Sequence, residues 1–159
     1  MRRSRRAAGL LAVLLGLAAG GCSRTARDPD LPVKAATRHH EADQRLDAGD
    51  VPGARKILLS VLGDGAGSAP VSEDQRVIIQ DTYFRLARLS LGERDVGQAL
   101  TYADAGVALG GDASLFVANL YIVRGAAHDA QGDSRAAAED YRRALAMNEA
   151  LLREVVPTP

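Results

Sequence analysis

Few residues in this chain carry types and spacings that could do chemistry. His39, His40 and Glu41 stand together, Asp43 follows one helical turn after His39, and His128 is the third histidine. On a helix, His39 and Asp43 at i and i+4 share a face, a spacing that can hold a metal weakly. A zinc site needs three or four converging ligands, and the sequence has no second His or Cys cluster to complete one. A solvated polar helix face is the expectation, with no metal site and no cofactor. HExxH, GxSxG and a glycine-rich phosphate loop following a strand are all missing, and the single cysteine, Cys22, lies close to the N-terminus. Carboxylates are numerous, but acid and base roles need a pocket that separates their environments. No enzyme is expected. The alternative is a small-molecule or metal-binding protein, or an enzyme, built as a helical bundle around His39 and His128.

The elements that would position these groups are clearest over residues 125–145, GAAHDAQGDSRAAAEDYRRAL. Gly132 ends one helix with a residue that tolerates left-handed φ, and Asp133 or Ser134 caps the next. Ala137, Tyr141, Ala144 and Leu145 recur at helical spacing, which predicts one buried face made of two small and two large residues. Gly125, Gly132, Asp133, Ala137, Tyr141, Ala144 and Leu145 together resemble the tetratricopeptide repeat. Arg124 and Glu149 depart from it, standing where that family has Leu and Pro. The resemblance implies an all-α fold of helix-turn-helix pairs stacked as a short right-handed solenoid, used as a binding scaffold.

Two further pairs are expected upstream. The first begins at Asp30 and Pro32, runs to about Ala48, turns at Gly49-Asp50 and continues through Ala54, Ile57, Leu58, Val61 and Leu62. Ala42, Gly49, Asp50, Ala54 and Leu62 fit the repeat, with Arg45 where an aromatic is usual. Residues 63–71, GDGAGSAPV, read as a loop. Ser72 and Gln75 form a capping box opening the second pair, whose first helix buries Tyr83, Leu86, Ala87 and Leu91. Asp95 caps its second helix, carrying Ala99, Ala103, Val107 and Leu109 up to Gly110-Gly111. Here Arg94 replaces the turn glycine and Gly106 a packing alanine, so this is a degenerate repeat. Asp112 is expected to cap the third pair, which ends near Glu154. The turns do not recur at the fixed period of about 34 residues seen in regular arrays. A three-helix bundle with an added hairpin would show similar periodicity.

In proteins of the resembled family the first helices of successive pairs line a concave face. That implies a groove with His39, Asp43, Leu46 and Asp47 from the first pair, Asp81, Phe84, Arg88 and Leu91 from the second, and Asn119, Ile122 and Asp129 from the third. Phe84 and Ile122 would be apolar anchors and Arg88 a partner for a carboxylate. Each has an ordinary counterpart, a core aromatic or a solvated charge. Asp43, Asp47, Asp81 and Asp129 make this face acidic, which favours a neutral or basic peptide segment as ligand.

The N-terminus sets the location. Arg2, Arg3, Arg5 and Arg6 precede an uncharged run over residues 7–21, the order of a secretory signal. Its apolar part is short for a membrane-spanning helix. Small residues lead into Cys22, which resembles the bacterial lipoprotein signal, although Ala19 stands where Leu is preferred. The resemblance implies cleavage before Cys22, lipidation there, and, with Ser23 next, the outer membrane facing the periplasm. An ordinary signal peptide leaving a free Cys22 thiol is the alternative, and Ser4-Arg5-Arg6 also fits a twin-arginine start. The expected organisation is a signal over 1–21, a lipidated tether over 22–30, a helical domain over 31–156 and a tail over 157–159.

Removing residues 1–21 takes away four of the 20 basic residues and leaves 16 against 20 acidic, a formal charge of −4. An acidic domain is a poor fit to nucleic acid, so the partner is expected to be a protein or peptide of the cell envelope, with membrane contact through the lipid. Leu151, Leu152, Val155 and Val156 leave an apolar end on the last helix, which opens self-association as a further route.

Overall fold

A computed structural model of the chain describes residues 30–65, 72–111 and 114–155. The signal segment, Cys22, Asp112 and Val156 lie outside them. The described residues form six helices: α1 Leu31–Asp47, α2 Val51–Gly65, α3 Glu73–Gly92, α4 Val96–Ala108, α5 Leu115–Gln131 and α6 Ser134–Val155. They pair in sequence as three hairpins, making an all-α helical-repeat fold. Each hairpin's first helix packs against both helices of the hairpin before it: α3 on α1 and α2, α5 on α3 and α4.

The repeat is written most plainly in the turns. Gly49, Arg94 and Gly132 all adopt left-handed φ, at 76°, 64° and 83°. In each turn the next residue's N–H donates back five residues, Asp50 to Arg45, Asp95 to Ser90 and Asp133 to His128, at 2.8 to 2.9 Å. The left-handed residue itself donates back three, to Leu46, Leu91 and Asp129. This paired closure satisfies the last carbonyls of the first helix. The same aspartate then caps the second helix: Asp50 Oδ1 accepts from Gly53 N at 2.9 Å, Asp95 Oδ1 from Gln98 N at 3.1 Å and Asp133 Oδ1 from Ala136 N at 3.0 Å. Five residues after each left-handed position comes a fully covered alanine, Ala54, Ala99 or Ala137. Arg94 therefore takes the glycine conformation in the degenerate repeat, held by the same hydrogen bonds.

Small residues bring the helices close and a few large ones fill what remains. Ala42, Ala54, Leu58 and Leu86 join α1, α2 and α3, while Ala87, Ala103 and Val123 join α3, α4 and α5. Burying a leucine such as Leu58 or Leu86 contributes about 1.5–3 kcal/mol. Gly106, which the repeat pattern reads as a lost alanine, is needed as glycine. A Cβ there would sit 2.7 Å from both Leu120 methyls and 3.1 Å from Tyr83 Cβ, and Leu120 is fully buried.

Several local expectations change. The α2 helix continues through Gly65, so residues 63–65 are helical rather than loop. Asp30 precedes α1 without a side-chain cap bond, and Ser114 is the cap of α5, accepting from Val117 N at 3.2 Å. Ser72 and Gln75 do form both bonds of the capping box. The buried face predicted for α6 holds only in part. Ala137 and Ala144 are covered, but Tyr141 is 37% and Leu145 59% exposed. They lie on the side of α6 turned away from α5, which no other described helix covers. The Tyr141 ring still lies over Gly125, where a Cβ would come within 2.7 Å of it.

Candidate functional site

The opening between α1, α2 and α3 is a cleft of roughly 270 Å³. Ala42 and Leu46 of α1, Val51 and Leu58 of α2, and Leu89 and Gly92 of α3 give it apolar walls, and Asp43, Arg85, Arg88 and Glu93 stand around it. Three residues the sequence places on one groove, Asp43, Leu46 and Arg88, come together here. Arg85, which the sequence did not single out, decides how acidic this face is. Its guanidinium bonds Asp43 at 2.9 and 3.1 Å and Asp81 at 3.0 Å. Glu93 is held in turn by Arg55 of α2.

Arg88 differs. It is exposed, lies 5.9 Å over the Phe84 ring, and has no carboxylate partner among the described residues. A guanidinium at the edge of an apolar cleft is a ready donor to a carboxylate or carbonyl.

Behind the cleft the histidine region resolves into a buried network. His39 is only 8% exposed, so it is core rather than groove. Its Nδ1 faces Asp81 Oδ2 at 3.1 Å and its Nε2 lies 2.9 Å from the Thr82 hydroxyl. Asp43, one turn along α1, bonds Arg85 instead, so the His39–Asp43 metal pair does not form. Thr82 donates its own proton to the Ile78 carbonyl at 2.8 Å, so its oxygen accepts from His39 Nε2–H. Hydroxyl, imidazole and carboxylate are connected here as in a nucleophile relay. Thr82, however, is fully buried and its proton is committed, so no substrate reaches it. Burial pushes the Asp81 carboxyl up, but the bond from His39 and the charge of Arg85 outweigh it and hold Asp81 below its ordinary 3.8.

His128 belongs to a separate network on α5. Arg124 grips Asp140 of α6 with two bonds of 2.7 Å and Asp104 of α4 with one of 2.8 Å. The hydrogen bond to Asp140 raises the Arg124 guanidinium well above its usual range, against the opposing effect of burial. Arg124, standing where the resembled repeat has leucine, joins three helices through these ion pairs. His128 Nε2 sits 3.9 Å from Asp140, at the edge of the same cluster. No group of three or more metal-ligating side chains occurs among the described residues.

The remaining groove candidates divide. Phe84 and Leu91 are half-buried against Ala87, Ala103 and Val123, so they work largely as core. Ile122 is 41% exposed and Asn119 half-buried on α5. Asp129 accepts from the Tyr141 hydroxyl at 2.9 Å, and Asp47 is exposed at the end of α1.

No protein-family model matches the chain, and no curated protein matches it. Three of the four aspartates counted toward an acidic groove are occupied, Asp43 and Asp81 by Arg85 and Asp129 by Tyr141. One guanidinium shared by two carboxylates and a neutral hydroxyl leave the face net negative, while Arg88 offers a cation at the edge of the cleft. No helix among the described residues is long and apolar enough to cross a membrane.

Proposed function

We propose that this chain is a non-catalytic adaptor of the tetratricopeptide kind, held on the bacterial cell envelope by a lipid on Cys22, that binds a protein segment in the α1–α2–α3 cleft. The observation that carries it is Arg88, a cation without a carboxylate partner among the described residues, beside a cleft walled by Ala42, Leu46, Leu58 and Leu89. The segment would place one apolar side chain against those walls and an acidic side chain or free carbonyl on Arg88. Apolar anchors and arginines are the groups that concentrate binding energy at such surfaces.

A photo-reactive residue at Gly92 tests this on the full chain in its own membranes. A side chain there meets nothing within 4 Å, so it points into open space beside the cleft. The expected result is a discrete protein adduct that disappears when Arg88→Glu is added, with helicity by circular dichroism unchanged. No adduct, or an adduct indifferent to Arg88→Glu, overturns the cleft as a protein site. Labelling with a radioactive fatty acid should likewise be lost in Cys22→Ser. Labelling that persists in that variant sinks the anchor at Cys22.

A further inference from the structure

Aligning the three left-handed turn residues puts Leu58, Ala103 and Tyr141 at one repeat position, nine residues on, and Leu62, Val107 and Leu145 at another, thirteen residues on. Leu58 is covered by Leu86 of α3 and Ala103 packs with Val123 of α5, so both are buried. Tyr141 and Leu145 occupy the corresponding positions on α6, where Tyr141 reaches back over Gly125 and bonds Asp129 but no further described helix covers the outer face. The face continues through Leu152 and Val155, 63% and 78% exposed. The α6 helix has 22 residues against 17 in α5, so its last turn outruns α5, its only neighbour among the described helices.

Positions 141, 145, 148, 152 and 155 are spaced four, three, four and three apart. That alternation is the seam of a two-helix coil, and only Asn148 within it is polar. We propose that this seam pairs α6 with α6 of a second copy of the chain, antiparallel, about a two-fold axis.

Charge selects both occupant and direction. The antiparallel register that sets Tyr141 against the partner's Leu152, and Leu145 against the partner's Asn148, also brings Arg142 opposite the partner's Glu149. By symmetry Glu149 meets the partner's Arg142, so one flank carries two opposite-charge pairs, with Arg153 of the same helix 3.4 Å from Glu149, while Ala144 and Leu151 line the other flank. A parallel pairing would set Arg142 and Glu149 against alanines at 137 and 144, with no ion pair formed. A face that complements itself under a two-fold operation fits a second copy of the chain. The proposal is independent of what occupies the α1–α2–α3 cleft.

The test is disulfide trapping of the full chain in intact cells. Two differently tagged versions are co-expressed, one carrying Tyr141→Cys and the other Leu152→Cys, and oxidised mildly; the parent chain controls for Cys22. The expected product is the mixed dimer of both tags, with little Leu152→Cys homodimer. Absence of a mixed dimer overturns the proposal. A Leu152→Cys homodimer as strong as the mixed one also overturns it, because that is the mark of parallel pairing. Adding Arg142→Glu should lower trapping about fivefold, the scale of exposed charge pairs turned repulsive, and adding Glu149→Arg to the same chains should restore it. Trapping unchanged by Arg142→Glu would rule out the register. Both charged residues are exposed, so folding is preserved and circular dichroism checks it.

Discussion

Arg94 shows how one residue can be wrong for its own conformation and right for its turn. Its φ of 64° costs an L-residue about 1–2 kcal/mol, while glycine would return some of that through the extra freedom of the unfolded chain, about 0.4–1 kcal/mol. The strain term is the larger. Arg94→Gly is therefore expected to stabilise the domain by about 1 kcal/mol, read as a higher urea midpoint at unchanged slope. A midpoint that falls would mean the arginine side chain contributes more than the strain it imposes. Asp81 makes a second residue-scale prediction. Its carboxyl is held below 3.8 in the folded state, so its contribution is fully present above that value and is lost as pH falls through the lower folded value. Urea stability of the parent should drop more steeply below about pH 3.8 than that of Asp81→Asn, in which this titration is absent. Parallel acid limbs for the two proteins would show that Asp81 is not tied to His39 and Arg85 in solution.

Among the elements, each helix pair depends on the same six-residue closure, and this is why so much of the fold was legible. A left-handed residue, a capping aspartate and an alanine five residues on are local signals, readable wherever they occur. Replacing any one of Asp50, Asp95 or Asp133 by alanine should cost about 1 kcal/mol, since each removes one cap bond at a helix N-terminus. The three turns share no side-chain partner, so two such losses should add. Thermal or urea unfolding of the single and double variants measures this, and a cost confined to one turn would break the equivalence. What the sequence did not disclose is long-range. His39 finds Asp81 rather than Asp43, and Arg85 reaches Asp43, because each of these partners is 42 residues away and no period links them; only the Arg85–Asp81 pair, one helical turn apart, was local. Arg124 did leave a trace, as a departure from the repeat pattern. Only the structure showed that the departure is an ion pair with Asp140 and Asp104. The expected burial of Tyr141 and Leu145 failed for a related reason: periodicity identifies a docking face and says nothing about whether a next hairpin exists to cover it.

For the molecule as a whole, stacking makes the helices unequal. The α3 helix packs against α1, α2, α4 and α5 and contributes to both core clusters, whereas among the described helices α6 packs only against α5. Stability in such a stack is the sum of hairpin terms and neighbour interfaces, so an element with one neighbour opens at lower free energy than one with four. Native-state hydrogen exchange is expected to give α3 the greatest protection and α6 the least, with the overhanging turn of α6 exchanging first. If α6 pairs with a second copy, that order acquires a concentration dependence. Whatever binds only the folded face lowers the population of its open form by mass action, and the protected partner here is the protein itself. Raising the chain concentration should therefore slow exchange in α6 and leave α1 and α2 unchanged, because they take no part in the seam. Uniform slowing across all six helices would instead mean association through some other surface. Exchange in α6 that ignores concentration would leave Tyr141, Leu145, Leu152 and Val155 as the bare end of the stack.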